Sequence, residues 1–555
     1  MVLLYGTSSR EMAWRSLEEH WDLIVVGGGI TGAGILREAV RTGLRVLLLE
    51  QNDFASGTSS RSSKMVHGGL RYLNNLQFRL TWQAVHERER LLREGPGLIE
   101  PLPFLYPTYT DDKLPAWLMA FGLRLYGWIG GRWRIHEALD RDELLMMAPG
   151  LSSDRLTGGF RFCDAQTDDA RLVLRVLREG VATGRAVALN YARVEGLLYG
   201  EDGLVNGVIV CDRETGRTHR ARADAVINAT GAWADHLRGQ VGAEPHIRPL
   251  RGSHLVFPHQ RFPVFQAVTF PHPEDGRPVF AFPWEGVTLF GTTDLDHDQS
   301  MDREPSITPE EVTYLLRAAE AHFPSLELKE KDVLASFSGV RPVISHRKDV
   351  APSKESREHV LWNERGLLTV TGGKLTTFRC IALDALRALR KRLRRPVAVD
   401  DHMGALDSLP QIEEPPPGLT TSEALRLVAR YGSEILDFAR RLPDRERTRL
   451  GGLPIHRLEL RWAAQQESVL HLDDLLLRRV RLGLLAPCGG RRFLPEIRQL
   501  VQGELGWSDA QWEQEVADYL TRWQAHYSLP EIAHPDTEHL PEGAFSAPTS
   551  FRISM

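Results

Sequence analysis

Cysteine is scarce. The four residues of this type in the 555-residue chain, Cys163, Cys211, Cys380 and Cys488, lie far apart and form no C-x-x-C pair. That spacing argues against a disulfide framework and against a paired-cysteine zinc site, so no metal is expected and a reducing cytosol fits. Long apolar runs are also missing. The longest, Leu114 to Gly131, is broken by Pro115 and Arg124 and diluted by glycines, which makes it a poor transmembrane span. The first run, Met1 to Tyr5, is too short for a signal peptide and soon meets Arg10, Glu11 and Arg15. An excess of positive charge is absent as well: 68 basic against 73 acidic residues give a net charge of −5, which argues against a globally basic nucleic-acid binder. With 42% hydrophobic and 25% charged residues the composition is that of a globular chain rather than a disordered one. No internal repeat is visible.

The length suggests three or four structural units, at about 150 residues each. The clearest local signal is the apolar run Trp21 to Val26, followed by Gly27-Gly28-Gly29-Ile30-Thr31-Gly32 and a helix-like stretch that stops near Gly43. A second strand, Arg45 to Leu49, ends in Glu50, 23 residues after Gly27. This is a βαβ unit with the glycine spacing of a dinucleotide site. Gly27 permits the tight turn, Gly29 lets backbone approach a pyrophosphate, and Gly32 lets helix and strand pack while the helix N-terminus faces the anion. Glu50 is expected to accept hydrogen bonds from an adenosine ribose.

Two further buried strands end in small residues, Ala225 to Gly231 and Leu367 to Gly373. Between them, Gly252–Pro258, Val264–Phe270, Pro278–Trp284 and Val287–Thr293 read as consecutive strands of a separate antiparallel sheet, the last two joined across Glu285-Gly286. After a helix ending in the arginine-rich run Arg387 to Arg395, a Pro-rich stretch reads as a linker. The helical pattern from about Thr420 to Tyr527 reads as an all-α C-terminal domain, and the residues from His534 onward as a tail.

The segment Ser56 to Leu73 combines small hydroxyl residues with His67, Arg71 and Tyr72, and its stretch Ser59 to Leu73 carries a specific likeness. The pattern S-S-x-S-S-K, two hydrophobics, H-G-G, hydrophobic, R-Y-L resembles that of FAD-dependent glycerol-3-phosphate dehydrogenases, of the flavoprotein group that also contains D-amino-acid and glycine oxidases. The likeness continues through Asp168 to Leu172, Asn228 to Trp233, Arg251 to His254, Gly291 to Asp294, Ser338 to Pro342 and Thr371 to Thr377, and extends to Asp473 to Gly483. Phe378 stands where the family has Tyr, and Arg251 where it has Lys.

The resemblance implies an α/β fold: a glutathione-reductase-like, FAD-binding Rossmann domain with an antiparallel-sheet substrate domain and an all-α C-terminal domain. The expected division is an N-terminal extension over 1–20 and an oxidoreductase region over 21–395. Within that region the FAD domain takes about 21–110, 150–240 and 350–395, and the substrate domain about 111–149 and 241–349. A linker follows over 396–419, then the helical domain over 420–530 and a tail over 531–555.

Oxidising a secondary alcohol with a flavin needs a base for the hydroxyl proton and, at the phosphate end of the substrate, fixed positive charge. His254 and His67 are the candidate bases. Arg71, Arg341 and Lys374 are the candidate anion clamps, since guanidinium grips phosphate through two parallel hydrogen bonds and also stabilises developing alkoxide charge. Tyr72 adds a hydroxyl. Pairing of Arg341 with Asp294 is the competing role for that arginine. By resemblance, His254, Arg341 and Lys374 face the substrate, and His67 to Tyr72 line the substrate side of the flavin. FAD is expected on Gly27, Gly29, Gly32, Glu50, Thr58, Ser59, Ser60, Ser63, Lys64, Gly231, Gly372, Gly373, Leu375 and Thr376.

The implied activity is oxidation of sn-glycerol 3-phosphate to dihydroxyacetone phosphate with electrons passed to membrane quinone. The motifs leave open an oxidase that gives its electrons to oxygen, and a flavin-binding protein without turnover is a remoter reading. A cytoplasmic protein held peripherally on the inner face of the cell membrane is implied, a homodimer is allowed, and no nucleic-acid partner is expected. Leu114 to Gly131 and the arginines of 387–395 are the two segments that could lie in a bilayer interface. The alternative for each is a helix covering the substrate domain and a solvated helix face.

Overall fold

A computed structural model describes residues 7–69, 78–112, 116–129, 137–344 and 358–530. The candidates Arg71 and Tyr72, and the expected tail over 531–555, lie outside the described residues.

The glycine-rich turn sits in the first of two large sheets. Its strand His20–Val26 pairs in parallel with Val46–Leu49 on one side and Thr218–Asn228 on the other, so that Val26 lies opposite both Leu49 and Asn228. Ala186–Leu189 and Leu367–Thr371 extend the parallel array. These strands are apolar on both faces because both faces are covered. The helices Ile30–Arg41, Asp169–Ala182 and Phe378–Leu389 pack on one face. The other face meets a strand hairpin and the helix Thr7–Arg15, whose Trp14, followed by Leu17, is buried there. The described part of the expected N-terminal extension therefore packs into the core through Ala13, Trp14 and Leu17.

Among the described residues the second sheet has ten strands. It contains Ile247–Pro258, Ala267–Pro271, Pro278–Trp284, Val287–Gly291 and Ala335–Ile344 in largely antiparallel array, as the alternating pattern predicts. The hairpin turn at Glu285-Gly286 takes positive φ at both residues (47° and 81°), a conformation that suits the twist of a two-residue connection. One boundary differs from the sequence reading. Ile99–Tyr109 and Leu156–Thr167, assigned to the FAD domain, pair with each other along their length and belong to the second sheet. Chain order does not encode this, because the two partners are separated by the helices Ala116–Ile129 and Arg141–Met147 and by the strand Glu137–Leu139, and their pairing is a tertiary choice.

The C-terminal helices enclose a small cluster of their own around Leu427, Val428, Ile435 and Trp462, while their later part packs against the second sheet. Leu475, Leu476, Trp512 and Tyr519 pack in one cluster with Phe104, Trp284 and Phe337 of the second sheet. The stretch read as a linker is packed too: Ala405 and Leu406 are buried, the Ala405 amide donates to Glu94 Oε2 at 2.6 Å, and Arg37 Nη2 donates to Asp407 at 2.9 Å.

Charge locks the C-terminal helices to the first sheet. Asp53, fully buried just past Glu50, accepts from Arg479 Nη2 at 2.8 Å and also pairs with Arg478. Burial alone would raise its carboxyl, but the two guanidiniums hold it well below the usual carboxylate range. Asp53→Asn takes the carboxylate from buried Arg479, while Arg478 keeps Asp473 and Asp474, and removing one partner of a buried pair costs about 3–5 kcal/mol in comparable sites. The expected result is a marked drop of the urea midpoint, and a change below about 1 kcal/mol would show that the lock contributes little.

Candidate active site

A cavity of about 1260 Å³ opens where the parallel strands end, bordered by Gly27, Gly29, Glu50 and Gly231. The crevice beyond the carboxyl ends of parallel strands is where open α/β sheets take their ligands. Gly27 has φ of +113°, and a Cβ there would lie 2.5 Å from the Ala229 carbonyl oxygen. A Cβ on Gly32 would lie 1.9 Å from the Gly27 oxygen, so only glycine lets this helix start against the strand. The helix Ile30–Arg41 thus begins on the cavity, and a helix N-terminus favours an anion. Ser59 Oγ reaches back to accept the Ile30 amide at 3.0 Å.

Glu50 stands on the cavity wall and does a second job. Its Oε2 accepts the Gly28 amide at 2.7 Å and its Oε1 accepts the Asn52 amide at 2.9 Å, fixing the glycine turn from the next strand. Burial pushes its carboxyl up. At the end of Leu367–Thr371, Gly372 and Gly373 both have positive φ and lead through Lys374 into a short turn and the helix Phe378–Leu389.

Of the expected cofactor contacts, Gly27, Gly29, Glu50, Thr58, Ser59, Gly231, Gly372, Gly373 and Leu375 border the cavity, as does Lys374. Gly32, Ser60, Ser63, Lys64 and Thr376 lie behind the wall. Lys64 is a correction in kind: its ammonium is fully buried and donates to the Ser60 carbonyl and to Asp169 Oδ1, both at 2.9 Å. Burial lowers it to about 8, with Arg481 adding to that and Asp169 opposing it. A cation beside the cofactor motif is here a clamp on the loop, because a buried ammonium needs a carboxylate close by. Thr376 likewise acts on the loop, its Oγ1 donating to the His67 carbonyl at 3.2 Å.

Two of the candidate substrate residues, Arg341 and His254, lie on the second sheet. In the antiparallel pair Ile247–Pro258 and Ala335–Ile344, Leu250 is opposite Arg341, Gly252 opposite Gly339 and His254 opposite Phe337. Cross-strand partners and every second residue share a face, so Arg341 and His254 look the same way across a floor made of two glycines. That floor lets other groups lie directly against it: a Cβ on Gly339 would fall 2.5 Å from the Arg61 carbonyl oxygen. A Cβ on Gly252 would fall 2.3 Å from Arg341 Nη2, and one on Gly291, next to His254 on the neighbouring strand, 2.6 Å from the imidazole.

His254 is buried and stacked on Phe337, ring centroids 4.7 Å apart and planes 9° from parallel. Its Nε2 meets Ser63 Oγ at 2.9 Å. Burial first, then the cations of Arg341 and Lys64, hold its pKa well below the ordinary imidazole value of 6.5, so the ring is neutral at physiological pH. Arg341 pairs with Asp294 Oδ1 at 3.1 Å and donates from Nη2 to Thr292 Oγ1 at 3.1 Å. The competing role foreseen for Arg341 is therefore real, and its side chain still keeps 25% of its exposure. His67 is half-buried, its loop tied to Thr376.

The sequence reading missed the outer wall of the cavity. His471, Asp473, Arg478, Arg522 and His526 of the C-terminal part border it, with Met301 to Pro305. Trp233 Nε1 fastens the latter segment by donating to the Met301 carbonyl at 2.8 Å. Nothing local in the sequence marks these residues, since they reach the cavity from as far as 500 positions along the chain.

Comparison with known proteins agrees with this geometry. The family model described as FAD dependent oxidoreductase matches residues 22–379, and that of the C-terminal domain of alpha-glycerophosphate oxidase matches residues 383–512, a span that takes in the stretch read as a linker. An aerobic glycerol-3-phosphate dehydrogenase of Bacillus subtilis is 35% identical over 490 residues, covering 83% of this chain and 87% of its own. One of Staphylococcus epidermidis is 34% identical over 504 residues, covering 85% and 89%. The crystal structure of a glycerol-3-phosphate dehydrogenase from Bacillus halodurans, complexed with FAD, superposes with a TM-score of 0.74 at 30% identity, covering 94% of this chain and 98% of that one. The glycine turn, the open helix N-terminus and the cavity fit a dinucleotide, and with these matches the chain belongs to the FAD dependent oxidoreductase family and takes FAD as its cofactor.

Proposed function

We propose that the protein oxidises sn-glycerol 3-phosphate to dihydroxyacetone phosphate and passes the electrons to a membrane quinone. The observation that carries this reading is that Arg341 and His254 share one face of the second sheet across Gly252 and Gly339, and the named relatives supply the substrate. FAD, when bound, accepts the hydride from C2 of the substrate. The chain's own residues do the rest. The Arg341 guanidinium, with Lys374 on the cavity wall, pairs with the phosphate or the reacting oxygen. Neutral His254, its Nε2 engaged by Ser63, takes the hydroxyl proton at Nδ1. Glu50, Gly27, Gly29 and the start of the helix Ile30–Arg41 hold the dinucleotide. His67 orients the substrate side from its loop.

Anaerobic sn-glycerol 3-phosphate, but not glycerol, is expected to bleach the flavin. Reduction of a quinone analogue without formation of hydrogen peroxide would then establish the acceptor, whereas stoichiometric peroxide in air would make the protein an oxidase. Among the described residues no helix is long and apolar enough to cross a membrane. On this reading, contact with the quinone's bilayer is peripheral, on the inner face of the cell membrane.

The state of His254 sets a pH dependence. Its pKa in the folded protein is lowered, so the neutral, proton-accepting ring persists as pH falls through 6.5 and is lost only further into acid. The step that wild type loses and His254→Gln lacks, measured as anaerobic flavin reduction at saturating substrate, is expected below pH 6.5. A limb centred at or above that value would assign the proton to another group.

A further inference from the structure

We propose that the outward face of the helix Ala116–Ile129, with that of the neighbouring helix Phe78–Glu94, docks on the interface of an anionic phospholipid bilayer. The proposal rests on the membrane-quinone reading and names the surface that serves it. The helix is apolar on both sides. Leu123 and Tyr126 are buried beneath it, while Trp117, Leu118, Phe121 and Trp128 are 71%, 40%, 62% and 59% exposed on top. A surface helix of a soluble protein puts polar residues there. The exposed residues recur at helical spacing over the whole element, so they form one stripe with a tryptophan near each end.

The chemistry of the stripe selects its occupant. Its one charged residue is Arg124, and the helix contains no carboxylate. On the adjoining helix Arg79, Trp82 and His86 are exposed at matching spacing, Trp82 by 56%. Aromatic rings with cations and no acid suit a phospholipid headgroup layer of negative charge. Size argues against a second copy. With large aromatic side chains offering roughly 150–250 Å² each, the stripe presents on the order of 500 Å², against about 800 Å² per partner in a stable protein interface.

Position adds a third argument. On the inner side, Tyr126 OH donates to Asp164 Oδ1 at 2.7 Å, and the same oxygen accepts the Gly68 amide at 3.1 Å. Gly68 follows His67, so the docking helix backs directly onto the loop that reaches the active site.

The test uses the holoenzyme and equimolar phosphatidylglycerol–phosphatidylcholine vesicles in a flotation assay. Combining Trp117→Ser, Phe121→Ser and Trp128→Ser is expected to lower vesicle partition by roughly tenfold or more, while flavin content and glycerol-3-phosphate-driven reduction of a soluble dye stay unchanged. A second variant, Trp82→Phe with Trp117→Phe and Trp128→Phe, keeps the apolar face and is expected to float like wild type yet lose quenching of tryptophan fluorescence by brominated lipid. If the serine variant floats like wild type, the surface is wrong and the functional reading stands. If wild type fails to float at all, the membrane part of that reading falls with the proposal. A wild-type dimer that the serine variant turns into a monomer would assign the face to a second copy and overturn the proposal.

Discussion

Gly32→Ala is expected to yield protein without bound flavin. The added Cβ would sit 1.9 Å from the Gly27 carbonyl oxygen, and neither that backbone atom nor the strand behind it can yield as a side-chain tip does. The start of the helix Ile30–Arg41 must therefore move off the turn, and with it the amides that face the pyrophosphate. Overpacking of this kind costs about 1–3 kcal/mol even where side chains can adjust. Against backbone the loss is larger, and flavin occupancy after purification, read from absorbance near 450 nm against 280 nm, should fall below roughly a tenth of wild type. Gly29→Ala separates two effects. Its Cβ would meet only Ser59 Oγ, at 3.0 Å, so the protein part accommodates it and the loss of affinity reports the approach of the ligand itself. Gly239→Ala, with nothing within 4 Å, is the control. Full flavin occupancy in Gly32→Ala would refute the placement of the dinucleotide on this turn.

Arg341→Ala is expected to lower kcat/KM for sn-glycerol 3-phosphate by about a hundredfold, the equivalent of roughly 3 kcal/mol for two charge-assisted hydrogen bonds to an anion. Flavin content should be unchanged, because Arg341 stands on the second sheet and does not border the FAD cavity. Arg341→Lys keeps the charge but not the planar fork, and an intermediate loss of about tenfold is expected. The pair with Asp294 makes a discriminating control possible. Asp294→Asn removes the carboxylate that orients the guanidinium at 3.1 Å while leaving the Thr292 contact. If Arg341 acts on substrate, Asp294→Asn should be milder than Arg341→Ala. If its only role is the ion pair, the two variants should match, and a kcat/KM of Arg341→Ala within about twofold of wild type would end the substrate role altogether.

How much was legible in advance differs from feature to feature. The strand, glycine turn, helix and Glu50 form a contiguous run in which apolar pattern, turn chemistry and spacing agree, and the structure reproduces it as read. The hairpin at Glu285-Gly286 is equally local. Lys64 is the contrary case. A lysine in a loop of serines beside a phosphate-binding turn suggests a ligand contact, yet its partner is Asp169, 105 positions away, and only the folded chain shows that both are buried together.

The helix Ala116–Ile129 shows the same limit. Its sequence is apolar all round, which allows either a buried cover or an interfacial face, and packing decides that it is both, with Tyr126 turned in and Trp117 turned out. Sequence by itself therefore determined the dinucleotide turn and the family likeness, because each depends on neighbours within a few tens of positions. Tertiary structure alone decided that Arg341 and His254 share one face across two glycines, that the strand Ile99–Tyr109 joins the second sheet, and that residues 471–526 wall the cofactor cavity. These are pairings between distant segments, and they are selected by which apolar faces and which buried charges can be satisfied together, a condition set by the whole packed chain and by no single stretch of it.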